Sequence, residues 1–189
     1  GGFRTLDISK DGVVKVGTVP VDFITVNELV IKARMYYTGV QRSATAVLRK
    51  QDEATKKKDV ADHARVVDSL QKIKDLGRRI EKAFEQKDLD AFGKLMDEHW
   101  SCKKQMSASI SLSVVDQLYD EVKKRFGVLG GKIIGAGGGG FFWLYCPKMG
   151  RELDEFMAQQ KMPRVNYFPT RQGSKVVSDL TPFDDFDQA

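Results

Sequence analysis

The chain has 189 residues, 41% of them hydrophobic and 30% charged, which is enough for one buried core and typical of a folded domain. Its longest apolar run, Phe141 to Cys146, is strand-length and far short of the ~20 residues of a membrane span. A net charge of +5, without a basic stripe interleaved with aromatics, argues against nucleic acid as a partner.

The two cysteines, Cys102 and Cys146, have neither pairing nor metal spacing, so reduced thiols, a cytoplasmic setting and no metal ligands are expected. The start, Gly1-Gly2-Phe3-Arg4, has no signal-peptide build and no initiator methionine, as expected of a fragment or a processed product.

In chain order, residues 3–8 and 13–18 read as a hairpin around Lys10-Asp11-Gly12, and Pro20 ends it. Leu29 to Tyr37 is β-rich and is expected to be a central strand. From Asp59 to Gln86, Val66, Leu70, Ile73, Ile80 and Phe84 give the spacing of an amphipathic helix. Asp88 can cap the next helix, whose inward face would be Leu89, Phe92, Leu95, Met96 and His99. Ser113 can cap a third, with Val115, Leu118, Tyr119, Val122 and Phe126 on one side and Gly127 closing it.

The period then changes. Gly131 to Ile134 and Phe141 to Cys146 are two strands around the loop 135–140, and Arg151 to Gln160 is a short helix. Val165 to Phe168 and Ser174 to Val177 supply a last strand or small hairpin. This order predicts an α+β fold: a ferredoxin-like split βαβ antiparallel sheet with helices on one face and a helical insertion. The expected domains are a hairpin unit at 1–28 that extends a neighbouring domain, a main domain at 29–178 and an acidic tail at 179–189.

The loop Gly135, Ala136, Gly137, Gly138, Gly139, Gly140 carries the chemistry. Glycines have no Cβ to block close approach, and such a loop can turn several N–H groups toward a phosphate or carboxylate. A Walker A loop needs Gly-Lys followed by Ser or Thr and a helix, whereas Gly140 is followed by Phe141-Phe142-Trp143. A Rossmann loop also opens a helix. Here the loop joins strand to strand, so neither fits.

Leu129-Gly130-Gly131-Lys132-Ile133-Ile134-Gly135-Ala136-Gly137-Gly138-Gly139-Gly140-Phe141 closely resembles the third signature of the GHMP kinases, and within them the D-glycero-D-manno-heptose phosphate kinase branch. Tyr36 to Ala44 is similar to that branch's Tyr-Thr-Gly-x-x-Arg-Ser segment. Leu89 to Met96 with His99-Trp100 and Lys103-Lys104 resembles its helical insert, Asp116 to Tyr119 stands at the expected place, and Ser174 to Val177 resembles its closing strand.

The resemblance implies the C-terminal, substrate-binding half of an ATP-dependent sugar kinase that moves the γ-phosphate to a sugar hydroxyl, expected to be anomeric, on a heptose-phosphate-like acceptor. It implies ATP and Mg as cofactors, held mainly by an N-terminal domain. That domain's phosphate loop is absent from this sequence, and its catalytic Asp would lie upstream of Gly1. By the same resemblance, the loop 135–140 lines the acceptor pocket with Thr38, Gly39, Arg42 and Lys132 as substrate contacts. Arg42 would suit a phosphorylated acceptor. The expected partners are the sugar or sugar phosphate and the N-terminal kinase domain, with no membrane; a homodimer is left open. The alternative is a non-catalytic sugar-phosphate-binding or regulatory module derived from a kinase.

Overall fold

The computed structural model describes residues 1–40, 45, 49, 52–53, 60–106, 113–134 and 139–175. The acidic tail, Val176 and Val177 lie outside them. The chain divides into two compact units, Gly1–Thr18 with the chain from Pro169 onward, and Val19–Phe168. The first division therefore falls earlier than residue 28, because the segment after Pro20 is a helix that leads straight into the main sheet.

In the first unit, β1 (Arg4–Ile8) and β2 (Val14–Thr18) form an antiparallel hairpin. Its turn is closed by Ser9 N–H donating to Val13 O at 3.0 Å and Gly12 N–H to Ser9 O at 3.0 Å. The register sets Leu6 opposite Val16 and Ile8 opposite Val14. Directly opposed residues share a face, and all four of these side chains are exposed.

The second unit opens with α1 (Phe23–Lys32), where the Asp22 carboxylate accepts from Thr25 N–H at 2.7 Å. Lys87, bonded to Asp22 at 2.6 Å, is the first reason that this carboxyl sits well below its ordinary range; the Thr25 N–H is the next. The strand expected from Leu29 is corrected here. Leu29 to Lys32 is helical, and β3 runs over Ala33–Tyr37. The cap fixes the helix start, and Val26 and Leu29, one turn apart, bury their side chains while Ile24 and Ile31 stay exposed. Helical burial has outweighed β-branched composition.

Then come α2 (Val60–Glu85), α3 (Leu89–Met106) and α4 (Ser113–Phe126). Asp88 caps α3 by accepting from Ala91 N–H at 2.9 Å, as its position predicts. On α2 the inward stripe is Val66, Ser69, Ile73, Leu76, Ile80 and Ala83, a strict three-four alternation, and the expected Leu70 is 39% exposed. Packing against α3 selects the stripe, and Ser69 takes the place that hydrophobicity would give to Leu70.

The chain continues with β4 (Gly130–Ile134), β5 (Phe141–Tyr145), α5 (Gly150–Gln159) and β6 (Arg164–Val165). The sheet order is β4-β5-β3-β6 with every neighbour antiparallel, which is the ferredoxin-like split βαβ arrangement expected. The last strand is shorter than Val165–Phe168. It pairs only with Met35 and Tyr36, after which the Tyr167 hydroxyl meets Trp143 Nε1 at 3.0 Å. Ser174 and Lys175 are not in a strand.

One sheet face carries Ile133, Phe142, Leu144 and Tyr36, all buried against α4 and α5. The predicted α4 face is buried in full, from Val115 to Phe126. The other face carries three rows: Ile134, Phe141 and Tyr37; Lys132, Trp143 and Met35; Gly130, Tyr145 and Ala33. The insert helix reaches this second face through Phe92, edge-on to Trp143 with ring centroids 5.7 Å apart. At Gly130 the approach is closest, since a Cβ there would collide with Gly93 O and lie 2.9 Å from Asp97 N.

Candidate functional site

Strands β4 and β5 end in register at Ile134 and Phe141, so the glycine-rich connection springs from the row that also holds Tyr37. Gly135, Ala136, Gly137 and Gly138 lie outside the described residues, as does Arg42. The described end of the loop shows why glycine stands there. Gly139 and Gly140 have φ of 144° and 88°, which side chains rarely adopt. A Cβ on Gly139 would also lie 2.6 Å from Val40 O.

This end is tied to the segment after β3. Thr38 N–H and Thr38 Oγ1 both donate to Gly140 O at 2.9 Å, and Gly140 N–H donates to Val40 O at 2.8 Å. Val40 N–H in turn donates to Thr38 Oγ1 at 3.3 Å. Two stretches singled out separately in the sequence, Thr38-Gly39 and the glycine run, are thus one hydrogen-bonded unit. The Thr38 side chain is buried and its hydroxyl proton is spent on the loop.

Lys132 is half-buried on the same face as Phe141 and Trp143. Burial first, then the charge of Lys103, pushes its ammonium below the ordinary lysine value. Lys103, on α3, is lowered by burial as well. His99, one helical turn before Lys103, is pushed down to about 4 by burial, then by Lys132 and Lys103. Its Nδ1 is buried without a partner. Trp100 is fully buried in the core, as the helical spacing predicts. In the sequence Lys103 stands out only by its i, i+4 relation to His99.

Among the described residues no group of three His, Cys, Asp or Glu side chains could hold a metal ion. No described helix is long and apolar enough to cross a membrane.

Residues 80–155 match the family described as GHMP kinases C terminal. The fold is similar to that of a D-glycero-D-manno-heptose 1-phosphate kinase from Bacteroides thetaiotaomicron, at 18% identity and a TM-score of 0.58, over 88% of this chain and 42% of that one. It is similar to L. major mevalonate kinase in complex with R-mevalonate, at 17% identity and a TM-score of 0.61, over 85% and 45%. It is also similar to Lactococcus lactis galactokinase complexed with galactose, at 18% identity and a TM-score of 0.55, over 88% and 50%. The chain thus spans half or less of the length of these solved structures. No curated protein sequence matches it.

Proposed function

We propose that this chain, which carries a GHMP kinase C-terminal domain, is the acceptor-binding half of an ATP-dependent sugar kinase acting on a heptose-phosphate-like substrate, with the anomeric hydroxyl as acceptor. The observation that carries the reading is the strapped glycine loop. Its described end is held by Thr38 and Val40 at the edge of a sheet face that bears aromatic and cationic side chains.

Phosphoryl transfer asks a protein for positioning and charge neutralisation more than for covalent chemistry. In this reading the backbone N–H groups of loop 135–140 face the negative charge that develops on the transferred phosphoryl group. Thr38 holds the loop in place through Gly140, Gly39 turns the chain beside it at a φ of 72°, and Arg42 and Lys132 bind the acceptor. The base, ATP and Mg belong to a partner half, and the exposed apolar face of the hairpin, Leu6, Ile8, Val14 and Val16, suits the docking of that half.

The test is ADP release by this chain alone and joined to an ATP-binding half. The expected result is turnover only by the joined protein. Absence of turnover in the joined protein across heptose phosphate, fucose, arabinose and galactose overturns the reading. Tight sugar-phosphate binding without turnover would favour a regulatory module instead.

A further inference from the structure

Two half-buried cations, Lys132 on the aromatic sheet face and Lys103 on α3, have no carboxylate partner among the described residues. The neighbouring carboxylates are engaged elsewhere. Asp97 accepts from Tyr119 Oη and Lys123 Nζ, each at 2.6 Å, Asp116 from Lys104 at 2.9 Å, and Glu98 from Arg79 at 2.8 Å. The β5 residue opposite Lys132 is Trp143, which brings no charge.

The geometry that gathers the cations is set by the backbone. Gly130 and Gly93 put β4 and α3 in direct contact. Two residues beyond Gly130 the same strand face presents Lys132. Farther along α3, His99 and Lys103 stand one turn apart on one side of the helix. Burial first, then the charges of Lys132 and Lys103, hold the imidazole of His99 below its ordinary value. Like charges gathered in a partly desolvated place without a counter-ion are unfavourable, and a bound anion reverses that.

We infer that Lys103, Lys132 and His99 form a binding subsite for a phosphate group, on the sheet face beside the root of the glycine loop. The two ammonium groups supply charge-assisted donors to the phosphate oxygens, and the imidazole, with its unpartnered Nδ1, supplies a third contact. Naming the ligand as an acceptor or nucleotide phosphate rests on the kinase reading; the anion subsite itself does not. Phosphate binding by this chain needs no ATP turnover, so the two ideas fail separately.

The experiment follows the imidazole signals of the chain by NMR through a pH titration. The chain has two histidines, and H63Q assigns the other. The titration is run in chloride and in inorganic phosphate at equal ionic strength, then with mannose, mannose 6-phosphate and ATP. In phosphate the His99 pKa is expected to rise by about one unit over its value in chloride. K103M and K132M should each abolish the rise, and K103R and K132R should keep it. A response to mannose 6-phosphate but not ATP assigns the group to the acceptor, and the reverse assigns it to the nucleotide. Equal His99 titrations in chloride and phosphate, or a rise that survives K103M and K132M, overturn the subsite. Far-UV circular dichroism checks that each variant is folded; should a methionine variant unfold, the wild-type comparison and the arginine variants still decide.

Discussion

Thr38 and Gly140 are joined through a single carbonyl. The backbone N–H and the side-chain hydroxyl of Thr38 both donate to Gly140 O at 2.9 Å, across 102 positions of sequence. Through this one oxygen, the end of β3 sets the conformation of the glycine loop where it enters β5.

Removing the hydroxyl tests that strap. T38V keeps the volume but loses the bond to Gly140 O and the acceptor for Val40 N–H. It should cost about 1–2 kcal/mol of unfolding free energy, since a buried carbonyl and N–H lose a partner. T38S should keep most of that stability. Urea unfolding of the three proteins decides, and equal midpoints for T38V and wild type would deny the strap any energetic role.

The loop's dependence on glycine predicts a second effect. G139A places a methyl group against Val40 O at a φ of 144°. The cost should be about 1–3 kcal/mol. Amide hydrogen exchange should show weaker protection at Gly140, whose N–H is bonded to Val40.

His99 should make the fold acid-sensitive in a defined window. Its folded pKa is lowered from the ordinary 6.5 to about 4, so the unfolded chain binds the proton first as pH falls. Its contribution to stability is complete above pH 6.5 and is lost as pH falls toward 4. The slope through that window should be less than about 1.4 kcal/mol per pH unit. H99Q should remove this part of the slope, seen as a smaller loss between pH 6.5 and 4.5 in urea unfolding than in wild type.

Two fully buried residues on different helices offer a contrast of sign. Leu153 is fully buried, and L153A should cost about 2–5 kcal/mol. Ser69 is also fully buried, but among the described residues its hydroxyl donates to Gln105 Oε1 at 3.5 Å, the outer limit of a hydrogen bond. S69A should therefore keep stability or raise it by up to about 1 kcal/mol. Thermal melts of both variants check this.

Where one face of an element is apolar and its partner needs nothing special, the sequence was legible. The α4 residues Val115, Leu118, Tyr119, Val122 and Phe126 are buried as their spacing implies, and the strands around the glycine loop lie where the change of period put them. Legibility failed where a tertiary partner decides. Leu29 to Lys32 looks like strand by composition, yet the Asp22 cap and the burial of Val26 and Leu29 make it helix. On α2 the contact with α3 chose Ser69 over Leu70.

The site was legible in its parts but not in its assembly. Thr38, Gly39 and the glycine run each stand out as residue types, but no local pattern announces that one carbonyl joins them. Lys132 reads equally well as an outward strand lysine. Only the placement of α3 beside β4 shows that Lys103 and His99 share its surroundings.

The contact of Gly130 with Gly93 also bears on self-association. An outer strand with free N–H and C=O groups is a template for pairing with another chain. Here one margin of the four-stranded sheet has a helix backbone pressed against the first part of β4, and the opposite margin is a strand of two residues, Arg164–Val165. The β6 margin offers only a short ladder. The two small residues are what let α3 come so near to β4, and bulkier replacements at Gly130, by forcing the helix away, should lower stability.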